Sequence, residues 1–193
     1  MAIDVFLRSY PEKGARLRFA LGAAVIERVH HMSGIHLWLC MPPPKPPEDL
    51  PALIAVPEPF HINSKRLAEE KAESEIYCVM DDDQLPIDRD FFELGVSTLS
   101  NHPEYGMLAG FPLEYAIHGQ LYADRTEEVI EAHSIGCPYF VRKGTLSFPD
   151  GPLRQYDGIL SKVVTDKGLK TGFARKCLYN HLGYGFSQIG YAP

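Results

Sequence analysis

The run Cys78-Val79-Met80-Asp81-Asp82-Asp83-Gln84-Leu85-Pro86 carries a short apolar stretch straight into three consecutive aspartates. A single aspartate after a strand needs no special purpose, because its oxygens satisfy backbone donors in turns and helix N-caps. Three together crowd negative charge at the mouth of a sheet unless something positive sits between them. A hard divalent cation, Mg²⁺ or Mn²⁺, suits such a site, because it prefers oxygen ligands and can also hold phosphate oxygens. In an extended turn Asp81 and Asp83 face one side while Asp82 points elsewhere.

Outward from this run, apolar strands alternate with helical periodicity. Ile3 to Leu7 reads as a buried strand. Leu17, Leu21, Val25, Val29 and Met32 recur at three- or four-residue spacing and predict a helix over about Ala15 to Met32. Ile35 to Met41 and Ala52 to Val56 read as the next strands, separated by PPPKPPEDLP, which cannot be a central strand because proline removes ladder donors. A polar helix is expected around Ser64 to Ser74, ahead of the strand IYCVM. Pro86 and Asp88 then introduce a helix bearing Phe91, Phe92, Val96 and Leu99, and Met107 to Phe111 forms another strand. YAIHGQLYA reads as a strand, TEEVIEAH as a short helix and CPYFVRK as a strand. YDGILSKVVTDKG is a helix with Gly168 at its C-cap, and GFARKCLY is a final strand before a glycine-rich tail. Strands alternating with helices imply a three-layer α/β/α sandwich around a mostly parallel, mixed sheet. Such sheets bind ligands beyond the carboxyl ends of their strands, where Asp81 to Asp83 lie.

Bulk properties narrow the function. A chain of 193 residues with no internal repeat or linker reads as one domain spanning 1–193. With 45% apolar residues it can bury a core. Its formal charge of −6 argues against a general nucleic-acid binder, whose affinity rests on Lys and Arg against phosphates. No apolar run approaches the roughly 20 residues a membrane helix needs, and MAIDVFLRSYPEKG has no basic leader followed by a long apolar region. Cys40, Cys78, Cys137 and Cys177 are widely spaced, which fits a reduced, cytoplasmic protein better than a zinc site or a disulfide framework.

The segment NSKRLAEEKAESEIYCVMDDDQLP resembles the donor-binding region of GT-A fold glycosyltransferases, the family-two-like group in particular. There a helix leads through an apolar strand into a D-x-D motif. Lys65 and Arg66 stand where that family places an Arg-Asn pair, and Asp81-Asp82-Asp83 stand at the D-x-D. FPDGPLRQYDGILSKVVTDKGLKTGFA is similar to the family segment whose acidic residue opens a helix and acts as the base of inverting members, a role that would fall to Asp157. Tyr156 replaces the accessory acid often found before it. His181 in YNHLG matches a histidine that serves such enzymes as a further metal ligand. VFLRSYPEKGARLRFAL resembles the first strand, loop and helix that cradle the nucleotide, with Ser9 and Tyr10 at a Ser-Tyr pair and Arg8 or Arg16 near phosphate or base edges. The Asp-rich loop after strand two is replaced by Met41-Pro42-Pro43-Pro44, so base selection must differ.

The resemblance therefore implies a hexosyltransferase-type enzyme moving a sugar from a nucleotide-sugar, UDP-sugar favoured, to a hydroxyl of an unknown glycan, lipid or protein acceptor. It implies Mn²⁺ or Mg²⁺ on Asp81, Asp83 and His181. Donor contacts would come from Arg8, Ser9, Tyr10, Lys65, Asp81 and Asp82, with Asp157 as general base. Tyr139, Phe140, Arg142 and Lys143 offer handles for the acceptor. The competing readings are a sugar nucleotidyltransferase, of which RSYPEKGAR is a poor signature loop, and a non-catalytic nucleotide- or glycan-binding module of the same fold.

Overall fold

The computed structural model describes residues 2–9, 16–41, 53–56, 60–113, 125–148 and 156–182. Nine strands and four helices lie within them: β1 (Ile3–Arg8), α1 (Arg16–His30), β2 (Ile35–Met41), β3 (Leu53–Ala55), α2 (Phe60–Lys71), β4 (Ile76–Asp81), β5 (Gln84–Pro86), α3 (Phe91–Asn101), β6 (Tyr105–Pro112), β7 (Val129–Glu131), β8 (Tyr139–Arg142), α4 (Tyr156–Asp166) and β9 (Lys170–His181). One sheet joins all the strands in the order β3-β2-β1-β4-β8-β6-β9-β5, with β7 pairing on β9. β1, β2, β3 and β4 pair in parallel, as do β6 and β9, while β8, β5 and β7 run against their neighbours. The sheet is mixed, as the sequence predicts.

Period-two alternation divides the core into two layers. On one face Val5 and Leu7 of β1 and Cys78 and Met80 of β4 pack with Val25 and Val29 of α1 and Phe91, Phe92 and Leu99 of α3. On the other, Phe6, Tyr77, Val79 and Tyr139 pack with Ala68 of α2, Ala72 just beyond its end, and Leu160 and Val164 of α4. The central strands are buried on both sides, which explains why they read as continuous apolar runs. By parity, Arg8 and Asp81 fall on the α2/α4 face, at the carboxyl edge of the sheet.

Three details depart from the sequence reading. TEEVIEAH contains strand β7, not a helix: Ile130 is buried, and Val129 to Glu131 pair antiparallel with β9 from Gly172 to Ala174. Tertiary pairing overrides the local helical preference of a Glu-rich stretch. Gln84–Pro86 forms an unforeseen strand on the sheet edge, where a proline costs no interior ladder bond. α2 begins at Phe60, ahead of the predicted Ser64. YAIHGQLYA, the proline-rich segment after Met41 and the tail from Gly183 lie outside the described residues.

Candidate active site

The carboxyl ends of β1, β4 and β9 share one edge of the sheet and deliver Arg8, Asp81 and His181 to it. β8 runs the other way, so its starting residue Tyr139 and the preceding Cys137 reach the same edge. The aspartate turn is fastened there by main-chain and side-chain bonds. Asp82 N–H donates to the Arg8 carbonyl at 3.1 Å. Gln84 accepts from Asp81 N–H at 2.7 Å and donates through Nε2 to the Cys137 carbonyl at 2.6 Å.

Each aspartate has its own partner. Asp81 Oδ1 sits 2.5 Å from Arg8 Nη2, in a pair where the arginine is only 6% exposed and the aspartate 33%. Asp82 is buried and accepts from Ser9 Oγ at 2.6 Å. Asp83 Oδ2 lies 3.6 Å from His181 Nε2. That last approach follows from register: Gln84 opposes His181 across β5 and β9, and Leu182 N–H donates to the Asp83 carbonyl at 2.7 Å. The structure thus brings Asp83 and His181 together and gives Asp81 to a guanidinium instead. Among the described residues, no group of three or more His, Cys, Asp or Glu side chains gathers as a metal cage.

A second ion pair faces the first. Lys65 is 2% exposed on α2, and its Nζ lies 2.5 Å from Asp157 Oδ1 in the first turn of α4. The ammonium also stands 5.4 Å from the centre of the Tyr139 ring, within cation–π range. The sequence reading places Lys65 against the donor; in the structure its ammonium is on Asp157. Asp157 remains 45% exposed.

The two pairs share one electrostatic neighbourhood. Burial works to lower the Arg8 pKa, yet Asp81 foremost, and Asp157 among others, hold the guanidinium above its ordinary value. The Cys137 thiol is pushed up to about 12, chiefly by burial; Asp81 and Asp157 add to the rise, while Arg8 and Lys65 oppose it. That thiol accepts from Arg8 Nη2 at 3.3 Å and is no nucleophile at neutral pH.

Other sequence-predicted residues fall elsewhere. Arg142 and Lys143 sit at the opposite end of β8, paired toward Ile76 at the start of β4. Arg142 donates to the carbonyls of Leu99 and Tyr105, and Lys143 to that of Ala72, so both tie down loops and helix ends. Phe140 is fully buried against Phe91 and Phe92. Phe140, Arg142 and Lys143 thus all make structural contacts. Tyr10 and the Arg16 side chain lie outside the described residues. Sequence reasoning missed Gln84, although it follows the aspartates directly. It also missed the Cys137 carbonyl, which no side-chain pattern announces.

No helix among the described residues is long and apolar enough to cross a membrane. No protein-family model and no curated protein matches the chain. Solved structures do. A mannosyltransferase from Pyrobaculum calidifontis, in complex with GDP-Man and Mn²⁺, superposes with a TM-score of 0.64 at 16% identity over 99% of this chain and 65% of its own. S. aureus TarS gives 0.64 at 10% identity, over 98% of this chain and 63% of that one. The chain thus spans just under two thirds of both. A CMP:2-keto-3-deoxy-manno-octonic acid synthetase complexed with CTP gives 0.61 at 12% identity, covering 97% of this chain and 96% of that one. The architecture of this chain is the GT-A fold, an α/β sandwich that these glycosyltransferases share with a nucleotidyltransferase.

Proposed function

We propose that this chain is a glycosyltransferase catalytic domain that moves a sugar from a nucleotide-sugar, UDP-sugar favoured, to an acceptor hydroxyl, with a divalent cation as cofactor. One observation carries the reading. A carboxylate–imidazole pair, Asp83 with His181, lies at the carboxyl edge of the sheet, and a partly exposed carboxylate, Asp157, stands close enough to the Arg8–Asp81 pair at that edge to act electrostatically on the guanidinium. Neighbours of this fold were solved with GDP-Man and Mn²⁺, and with Mg²⁺ and UDP.

The donor set fits a metal held by few protein ligands. Asp81, Asp82, Asp83 and Asp157 bring four carboxylates to the edge, against the two cations Arg8 and Lys65. The excess negative charge calls for a cation. Asp83 and His181 would hold it, a mixed oxygen and imidazole pair that suits Mn²⁺, with phosphate oxygens and water completing the shell. Held there, a divalent cation would supply Lewis-acid neutralisation of the charge growing on the departing diphosphate. Asp82 and Ser9 meet ribose or sugar hydroxyls, and Arg8 holds Asp81 in place.

In the transfer the acceptor oxygen bonds to the anomeric carbon. The bond from that carbon to the phosphate oxygen breaks, and its electron pair leaves with the nucleoside diphosphate. Asp157 takes the acceptor proton on Oδ2, which general-base catalysis makes worth about 10²- to 10⁴-fold. Attack opposite the leaving group inverts the anomeric centre.

A second reading, a sugar nucleotidyltransferase, has one observation in its favour: the synthetase complexed with CTP is covered over nearly its whole length. A single experiment separates them. The protein is incubated with Mn²⁺ and a panel of UDP- and GDP-sugars, and in parallel with nucleoside triphosphates and sugar phosphates or sugar acids. Release of nucleoside diphosphate that disappears in Asp157→Asn supports the transferase. Pyrophosphate release from a triphosphate overturns it. Binding of UDP with Mn²⁺ and turnover of nothing leaves a binding module.

A further inference from the structure

A lysine that is 2% exposed is unusual unless its charge is paired, since burying an ammonium is costly. Lys65 is paired, and with one atom in particular: Asp157 Oδ1 at 2.5 Å. The other carboxylate oxygen lies on the side of Gly136. A methyl group built on that glycine would come 3.6 Å from Oδ2, with nothing else within 4 Å, so the missing side chain leaves the oxygen approachable.

The helix turn that carries Asp157 is fixed as well. Ser161 Oγ donates to the Asp157 carbonyl at 2.9 Å and accepts from Ile135 N–H at 3.2 Å, which seats α4 against the 134–136 segment. Gly158 faces that segment too: a methyl group built on it would come into ordinary contact with Ser134 Oγ, at 3.7 Å. The Tyr139 ring, 5.4 Å from the ammonium, adds a second contact that holds it in place. The Asp157 carboxylate is therefore gripped at one oxygen and left open at the other.

We propose that Lys65 is a positioning residue for Asp157: it orients the carboxylate so that Oδ2 faces the acceptor hydroxyl, and it makes no contact with the nucleotide. This rests on the transferase reading above. A carboxylate free to rotate about its Cβ–Cγ bond presents the wrong lone pair much of the time, and a displacement of about 1 Å in a reacting group can cost about 100-fold.

The test compares wild type, Lys65→Met, Lys65→Ala, Lys65→Arg and Asp157→Asn. Affinity for UDP and for GDP in Mn²⁺ is measured by calorimetry, and nucleoside diphosphate release from the turned-over sugar nucleotide by a coupled assay. Lys65→Met keeps the aliphatic stem over Tyr139 and is expected to fold. Its nucleotide affinity should stay within about twofold of wild type, and kcat should fall about 10- to 100-fold with KM for the donor little changed. Propylammonium supplied to Lys65→Ala should restore part of kcat, and Lys65→Arg should retain more activity than Lys65→Met. A Lys65→Met protein that loses nucleotide affinity, turns over at the wild-type rate or fails to fold overturns the positioning role, and leaves the transferase reading intact if Asp157→Asn is inactive. Full activity in Asp157→Asn, or no turnover by the wild type, overturns both.

Discussion

Asp83 and His181 approach within 3.6 Å, although 98 positions separate them in sequence, because β5 and β9 pair antiparallel with Gln84 opposite His181. If this pair holds the cation, His181→Ala should raise the Mn²⁺ concentration needed for half-maximal stabilisation by UDP. An increase of at least about 10- to 100-fold is expected, since that is the range for losing a residue that only supports a ligand. A Mn²⁺ titration in saturating UDP, read by thermal shift, checks it. An unchanged midpoint would remove the histidine from the site.

Asp81 and Asp83 are expected to fail differently on neutralisation. Asp81→Asn strips the buried Arg8 guanidinium of its nearest negative partner. Breaking a fully buried pair costs about 3–5 kcal/mol; with Asp81 a third exposed, about 1–3 kcal/mol is expected. Asp83→Asn should unfold at nearly the wild-type urea midpoint yet respond weakly to Mn²⁺. Chemical denaturation of both variants, with and without UDP and Mn²⁺, separates structure from ligation. Equal stability losses would contradict the division.

At the opposite end of the sheet, Asp4 forms a polar anchor. Its Oδ1 accepts from Trp38 Nε1 at 2.9 Å, and its Oδ2 accepts from the N–H groups of Glu73 and Ser74 and from Ser74 Oγ. Burial pushes the carboxyl pKa up, but these donors outweigh it and bring the pKa below the ordinary value. A folded pKa depressed below the unfolded one stabilises the protein above the unfolded pKa, about 3.9, and that stabilisation disappears as pH falls through the folded value. Asp4→Asn should therefore cost about 2 kcal/mol at pH 7 and progressively less below about pH 4. Urea melts at pH 7 and pH 3 read the difference directly.

All four cysteines are buried, and burial raises every thiol, to about 12 for Cys40, Cys137 and Cys177 and well above the ordinary value for Cys78. Thiolate is the reactive form, so the native protein should take up almost no iodoacetamide at pH 8, while all four sites label in urea. Mass spectrometry counts the adducts. Rapid native labelling of Cys137 would mean that the Arg8 pocket is open to solvent.

Much of this was legible from residue patterns. The apolar runs at Ile3, Ile35 and Ile76 became strands because central parallel strands are covered on both faces and need no polar alternation. The aspartate turn falls at the carboxyl edge of the sheet because it directly follows one of those strands. What escaped was partnership. Nothing in the spacing of Arg8 and Asp81, or of Lys65 and Asp157, says that each cation turns to a carboxylate, because those distances are set by strand order and by helices on one face of the sheet. The helix expected at TEEVIEAH failed for a related reason: Ile130 gains more from pairing beside β9 than three glutamates gain from a helical turn.

Gln84 clasps the aspartate turn from two sides, its amide oxygen on Asp81 N–H and its amide nitrogen on the Cys137 carbonyl. If the turn is the binding site proposed above, a segment already stitched in this way has little motion left to surrender when a guest arrives, so the entropic toll of capture is small and more of each contact is expressed as affinity. Cutting that stitch with Gln84→Ala would slacken the carboxylates without touching one of them.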